Sequence, residues 1–286
     1  MKTFSQIGRE LISGKRRLRF RRPQVGARPG VLVFSEDAAD TTVQFICYGR
    51  DVHHVDPDNL EELLESDDHV TWIDVQGLGN PAEIQRIAQM AKIPDLMLED
   101  IVNVPQRTHA RCVNDRLLIV TQMVRLADNG KIHREQLSVY RYRNLVVTFQ
   151  EEKGDVFSPL RDRLRNGRGP LRTGNADFLA YSIIDTVIDA YYPALEDTAD
   201  RLQVLEQYAL NHPTPTLLPF LTEARHEAVA LQRAIKPQKE MLATLIRDKT
   251  GLLPPDIRSY FEDTNDHALQ VADVADTLRE MSVNLL

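Results

Sequence analysis

Cysteine is scarce in this chain of 286 residues: Cys47 and Cys112 stand far apart, with no Cys-x-x-Cys pair. A disulfide framework and a thiolate zinc site are both excluded as organising features. There is no run of 18 or more apolar residues, so no segment of this sequence reads as a bilayer span. The mixed stretch Met1 to Ser13 has no apolar core after its basic residues and does not read as a signal peptide. Also missing are a Gly-rich phosphate loop, a Gly-x-Ser-x-Gly elbow, a His-Glu-x-x-His pair and an EF-hand loop. The Gly167-Arg168-Gly169-Pro170 segment lacks the Lys-Ser/Thr that a phosphate loop needs and reads as a plain loop. No enzymatic activity is expected, and the compartment reads as cytosolic.

Charge is abundant but unevenly spread. The net charge is -7. Residues 1–28 hold nine Lys or Arg against one acid, which leaves the remainder at -15. The run Lys15-Arg16-Arg17-Leu18-Arg19-Phe20-Arg21-Arg22 has the composition of a solvated arm or of a patch for nucleic acid or anionic lipid. An acidic body of this size repels phosphates, so nucleic acid is not expected as a partner.

From about residue 30 the pattern is one of short strands and helices. Val31-Leu32-Val33-Phe34, Thr42 to Tyr48 and His69 to Val75 read as strands. Asn80-Pro81-Ala82-Glu83 supplies an N-cap, a Pro at the first helical position and a Glu at the third. His53-His54 lies between strand and helix and reads as surface. Arg116 to Leu126 and Lys131 to Arg143 are strand-like around the hairpin signal Asp128-Asn129-Gly130, and Leu145 to Phe149 follows. Near residue 172 the texture changes to long helices. Asp177 to Leu210 holds seven acids and one base, with Pro193 expected to kink or divide it. Leu217 to about Lys249 forms the next helix, across Pro237. A last helix begins at Pro254-Pro255.

The expected fold class is α+β. An N-terminal α/β domain with a mixed sheet (30–172) follows a basic arm (1–29). Long helices then form a two-helix arm and a stalk (173–286). In the stalk, Val271, Val274, Leu278, Met281 and Leu285 recur at spacings of three and four, a coiled-coil seam. Asp266, Asp273 and Glu280 repeat every seven residues on another face, with Asp263 and Asp276 beside that row. Stacked acids are either a solvated face or a place for a cation. Further carboxylates sit at Glu99-Asp100, on a short helix after Pro94, and at Asp185 and Asp189, which share a helix face. Oxygen ligands without a convergent cysteine set suit magnesium or calcium better than zinc. His267 follows Asp266 and reads as a packing or hydrogen-bonding residue.

Four segments carry a resemblance. They are Leu98-Glu99-Asp100-Ile101 through Gln106-Arg107; Phe149-Gln150-Glu151 with Gly154-Asp155-Val156-Phe157; Asp177 to Asp185; and Tyr260-Phe261-Glu262-Asp263 with Asp266-His267. In this order they resemble the CorA family of divalent-cation channels over about residues 30 to 286. The family's two C-terminal membrane helices and their Gly-Met-Asn motif are missing, so the chain resembles the cytoplasmic portion, at the cytoplasmic face of the inner membrane. The resemblance implies a funnel-shaped homopentamer attached to the membrane through those helices. It implies that Asp100 of one subunit faces Asp263 of the next, while Glu99 and Asp185 help form a second site nearby. Asp189, Asp266 and Asp273 are additional candidate ligands. Magnesium is the implied ion, with cobalt, nickel or calcium as further candidates. High internal magnesium then holds the pore closed, as negative feedback. A zinc-transporting relative of the same architecture is the alternative, and an oligomeric scaffold without transport is an alternative of another class.

Overall fold

The computed structural model describes residues 23–49, 52–54, 69–127, 130–211, 214–247 and 253–285. The basic run 15–22 and the turn residues Asp128 and Asn129 lie outside the described residues.

Among the described residues, seven strands form one sheet: β1 Thr42–Tyr48, β2 Val52–His54, β3 Val70–Gln76, β4 His109–Val113, β5 Arg116–Leu126, β6 Ile132–Tyr142 and β7 Leu145–Gln150. Their order is β2-β1-β3-β7-β6-β5-β4. Only β3 and β7 pair in parallel, and the other neighbours are antiparallel, so the sheet is mixed. His53 and His54 belong to β2, paired with Cys47 and Ile46, rather than to a loop between strand and helix.

Strand alternation gives the sheet two buried faces. Phe45, Ile73, Val75, Val147 and Phe149 face helices α1 (Pro81–Met90) and α2 (Asp95–Val102). Ile46, Trp72, Ile119, Val139 and Val146 face a larger helical layer. That layer holds α3 (Ser158–Asn166), α4 (Ala176–Asp189), α5 (Tyr191–Asn211), α6 (Leu218–Arg247) and α7 (Pro255–Asn284). The architecture is the α+β arrangement the sequence predicts.

Local chemistry explains several boundaries. Asn80 caps α1 by accepting the Glu83 N–H, with Pro81 in the first turn. Pro193 lacks an N–H and its ring collides with the carbonyl four residues earlier, that of Asp189. The helix accordingly divides into α4 and α5 at Ala190. Pro237 is carried inside a continuous α6. Beside it, the fully buried Gln238 donates to the Gln122 carbonyl (3.0 Å) and accepts from Thr121 (2.8 Å), which fastens α6 to β5.

Two further expectations are corrected. Val31 to Phe34 is not a strand. Its backbone is engaged by one side chain: the Asn103 amide accepts from Val33 N–H (2.7 Å) and donates to the Val31 carbonyl (2.9 Å). The apolar seam of α7 also differs. Its buried residues are Ile257, Phe261, Thr264, Ala268, Val271, Ala272, Ala275, Leu278 and Ser282, whereas Val274 is exposed. Small residues keep the three-and-four spacing because α7 packs closely along α6 and α4.

Candidate metal centre

An aromatic seam sets the helices that carry the acids. Phe178 and Tyr181 of α4 pack on Tyr260 and Phe261 of α7, with ring centroids 5.0–5.7 Å apart. One turn further along α4 comes Asp185, and the turn after Phe261 carries Asp263 and Thr264. The buried Thr264 hydroxyl donates to Asp185 Oδ1 at 2.8 Å. His267, one turn on, places Nδ1 3.5 Å from Asp189 and Nε2 4.0 Å from Asp263. Ligand atoms of Asp185, Asp189 and His267 lie within 4.8 Å of one another.

Two residues of this α4–α7 set, Thr264 and His267, were not singled out as ligand partners by the sequence. They become visible only when α4 and α7 are set side by side. The electrostatics are unbalanced. Burial, then the charge of Asp185, pushes the Asp189 carboxyl above its ordinary range, with Asp263 adding to the rise and His267 opposing it. The Tyr181 hydroxyl is pushed well up by burial and by Asp185 and Asp263 together. Three carboxylates around one imidazole form an oxygen-rich set that fits a hard divalent cation, whose charge would relieve that repulsion. Asp266 and Asp273 stand exposed along α7, outside the Asp185–Asp189–His267 group.

The other pair of acids lies across the sheet. In α2, Met97, Leu98, Ile101 and Val102 are buried against the opposite face, which turns Glu99 and Asp100 to its rim. Glu99 accepts the Gly30 N–H at 2.6 Å. Asp100 Oδ2 is 3.3 Å from both Arg111 and His109 of β4. That contact, as acceptor for the ring N–H, is the main reason the His109 imidazole is held above its ordinary range. The backbone of this segment is clamped by Gln136: its amide donates to the Asp100 carbonyl (3.0 Å) and accepts from Gln106 N–H (2.7 Å). Gln106 in turn donates to the Asn103 carbonyl. The sequence singled out neither Gln136 nor Arg111, because no local spacing ties either strand residue to the acids of α2.

The signature around Phe149 to Phe157 serves a structural end. Asp155 accepts the Phe157 N–H, and Arg161 bridges Asp155 and the buried Asp74 at 2.5 Å each. Burial opposes ionisation of Asp155, but the Arg161 guanidinium outweighs it and holds the carboxyl below its usual range. This network locks α3 to the sheet.

Within one chain, then, Asp100 and Glu99 belong to one layer and Asp185, Asp189 and Asp263 to the other. Comparison with known proteins places the fold and the family. Residues 67–286 match the family model described as CorA-like Mg2+ transporter protein. The chain is 33% identical over 266 residues to the cobalt/magnesium transport protein CorA of Thermotoga maritima, covering 91% of this chain and 76% of that one. The soluble domain of CorA from Methanocaldococcus jannaschii superposes with a TM-score of 0.71 at 20% identity, over 86% of this chain and 96% of that one. The complete CorA magnesium transporter of the same organism superposes with a TM-score of 0.69 at 19% identity, over 85% of this chain and 74% of that one. Among the described residues, no helix is long and apolar enough to cross a membrane. The chain belongs to the CorA-like Mg2+ transporter family, a family of transporters rather than enzymes.

Proposed function

We propose that this chain is the ion-sensing cytoplasmic portion of a divalent-cation channel at the inner membrane, closed by magnesium bound between neighbouring copies. The observation that carries the reading is the separation of Asp100 and Asp263. They occupy layers on opposite faces of one sheet. An ion that joins them is therefore held by two chains. Binding across such an interface favours the assembled, symmetric form, and falling magnesium releases it, which is a population shift. Glu99 and Asp185 contribute to a second site nearby, and Asp189 and His267 enlarge the set of candidate ligands between α4 and α7. Symmetry requires each chain to offer both halves of the site, as a head-to-tail ring does, and a homopentamer satisfies this. In this reading α7 is the stalk that leads towards the membrane.

Magnesium is favoured over zinc because the acids provide oxygen donors without cysteine thiolates. The family model and the Thermotoga relative, named for magnesium and cobalt, support the same choice. The test is thermal unfolding with and without magnesium, combined with light scattering. A ligand bound only by the folded form raises the melting temperature by mass action. Replacing both Asp100 and Asp263 with Ala is expected to remove most of that rise and the magnesium-dependent increase in mass. An unchanged response in the double variant places the ions elsewhere and overturns the reading.

A further inference from the structure

The tip of the α5–α6 hairpin has a chemistry unlike the rest of the surface. From Gln207 to Thr222 no residue is Asp, Glu, Lys or Arg, in a chain that is 27% charged. On that stretch Tyr208, Leu210, Leu218 and Phe220 are 57%, 78%, 50% and 59% exposed. Single exposed apolar residues are ordinary, but a group of this size without interspersed charge marks a contact surface.

Helix register fixes where this tip lies. Asp185–Thr264, Asp189–His267 and Tyr192–Gln270 contacts run α4 and α5 alongside α7 in the same direction, at an offset of 78 or 79 residues. Carried forward, that offset sets Tyr208 level with the C-terminal end of α7. The α6 helix runs the opposite way: Arg258 reaches the Ile246 carbonyl, while Gln232 and Lys236 both reach Asp276. Its first turns, with Leu218 and Phe220, come to the same end. The uncharged tip and the last turn of α7 thus share one end of the helical layer.

We propose that the hairpin tip is a membrane-contact element. Tyr208, Leu210, Leu218 and Phe220 rest in the headgroup and upper acyl region of the bilayer towards which α7 leads. The inference rests on the reading of α7 as the membrane-proximal stalk. Tyr, Phe and Leu without charge are the side chains that partition into this interface. The missing Lys and Arg make the contact apolar rather than electrostatic, so neutral phosphatidylcholine suffices as the partner. The first flanking charges, Glu206 and Glu223, stay on the aqueous side. Each hairpin then anchors its helical layer to the membrane independently of the stalk.

The test uses the whole chain with a histidine tag after Leu286, held on phosphatidylcholine vesicles by a small fraction of chelating lipid. Phe220→Trp reports on the tip and Val283→Trp on the end of α7. The native Trp72 is fully buried and gives a constant background. Bromine-labelled phosphatidylcholine is expected to quench both reporters, with a shift of the Trp emission at position 220 to shorter wavelength. Adding Leu218→Asp to the Phe220→Trp chain is expected to abolish quenching at the tip. Quenching at position 283 alone overturns the tip contact and leaves the stalk reading intact. Quenching at neither position overturns both. A shift at position 220 that grows with protein concentration in the absence of vesicles identifies a second copy as the occupant and overturns the membrane assignment.

Discussion

The guanidinium of Arg111 stands 3.3 Å from Asp100, so the carboxylate that a bridging ion would use already faces a cation within its own chain. The same oxygen meets His109 at the same distance. Under the proposed reading, magnesium at this site would have to compete with a resident positive charge. That competition sets a threshold: the ion must offer more than a half-exposed ion pair, worth about 0–1 kcal/mol.

Arg111→Gln removes the competitor and keeps a polar side chain at the strand edge. The expected result is tighter magnesium binding, up to about fivefold, which is what losing roughly 1 kcal/mol of competition gives. The measurement is the magnesium concentration at half-maximal thermal stabilisation. An unaltered midpoint would show that the Arg111 pair offers the ion no competition at Asp100.

Next to the Gln136 clamp, Glu135 is buried and accepts the Glu152 N–H at 2.8 Å. Burial pushes its carboxyl up to about 7, aided by the charges of Glu152 and Glu151 and opposed by that hydrogen bond and by Arg125. Its folded-state value thus lies above that of the unfolded chain. Between about pH 4.5 and 7 the folded form holds more protons, so stability falls as pH rises through that window. Glu135→Gln preserves an acceptor oxygen and removes the charge. It is expected to raise the stability at pH 8 by an amount of order 1–3 kcal/mol, read as a higher melting temperature, and to change little at pH 4.5. Equal effects at both values would show that Glu135 does not titrate in this range.

The revised seam of α7 makes a pair of opposite predictions. Ala275 is fully buried, whereas Val274 beside it is 38% exposed. Ala275→Leu is expected to destabilise by about 1–3 kcal/mol through overpacking against α5 and α6, the helices beside this part of α7. Val274→Ala is expected to stay within about 0.5 kcal/mol of the parent, as surface changes do. Denaturant unfolding midpoints check both.

How much was legible in the sequence follows from the range of the interactions. The start of α1 was readable because Asn80, Pro81 and Glu83 act on one another within a single turn. The division of the first long helix was readable because Pro193 acts four residues upstream. Val31 to Phe34 misled because its β-like composition is satisfied by Asn103, some 70 residues on, rather than by a strand. The α7 seam was half legible. Its three-and-four period holds, but Thr264, Ala268 and Ala275 carry the contact where the bulkier Val274 is exposed. Among the candidate ligands, the carboxylates stood out by spacing. Their partners Arg111, His109 and Thr264 did not, since tertiary structure alone brings them near.

Asp263 gives the most direct test of coupling between subunits. In the complete channel implied by the proposal, an ion bridging it to Asp100 links the sheet layer of one subunit to the stalk of its neighbour. Asp263→Ala is expected to weaken inhibition by internal magnesium while ion selectivity stays unchanged, because selectivity belongs to the pore. Asp263→Lys instead fixes a positive charge where the ion would sit. Asp263 is 68% exposed and lies 4.0 Å from His267, whose other ring nitrogen faces Asp189. A lysine there is drawn to Asp189 of its own chain as well as to Asp100 of the neighbour. An exposed pair of this kind contributes at most about 1 kcal/mol, so closure is expected to become partly, not wholly, independent of magnesium. Patch-clamp currents recorded against stepped internal magnesium distinguish these outcomes. If Asp263→Ala channels close at the wild-type magnesium concentration, Asp263 has no part in gating.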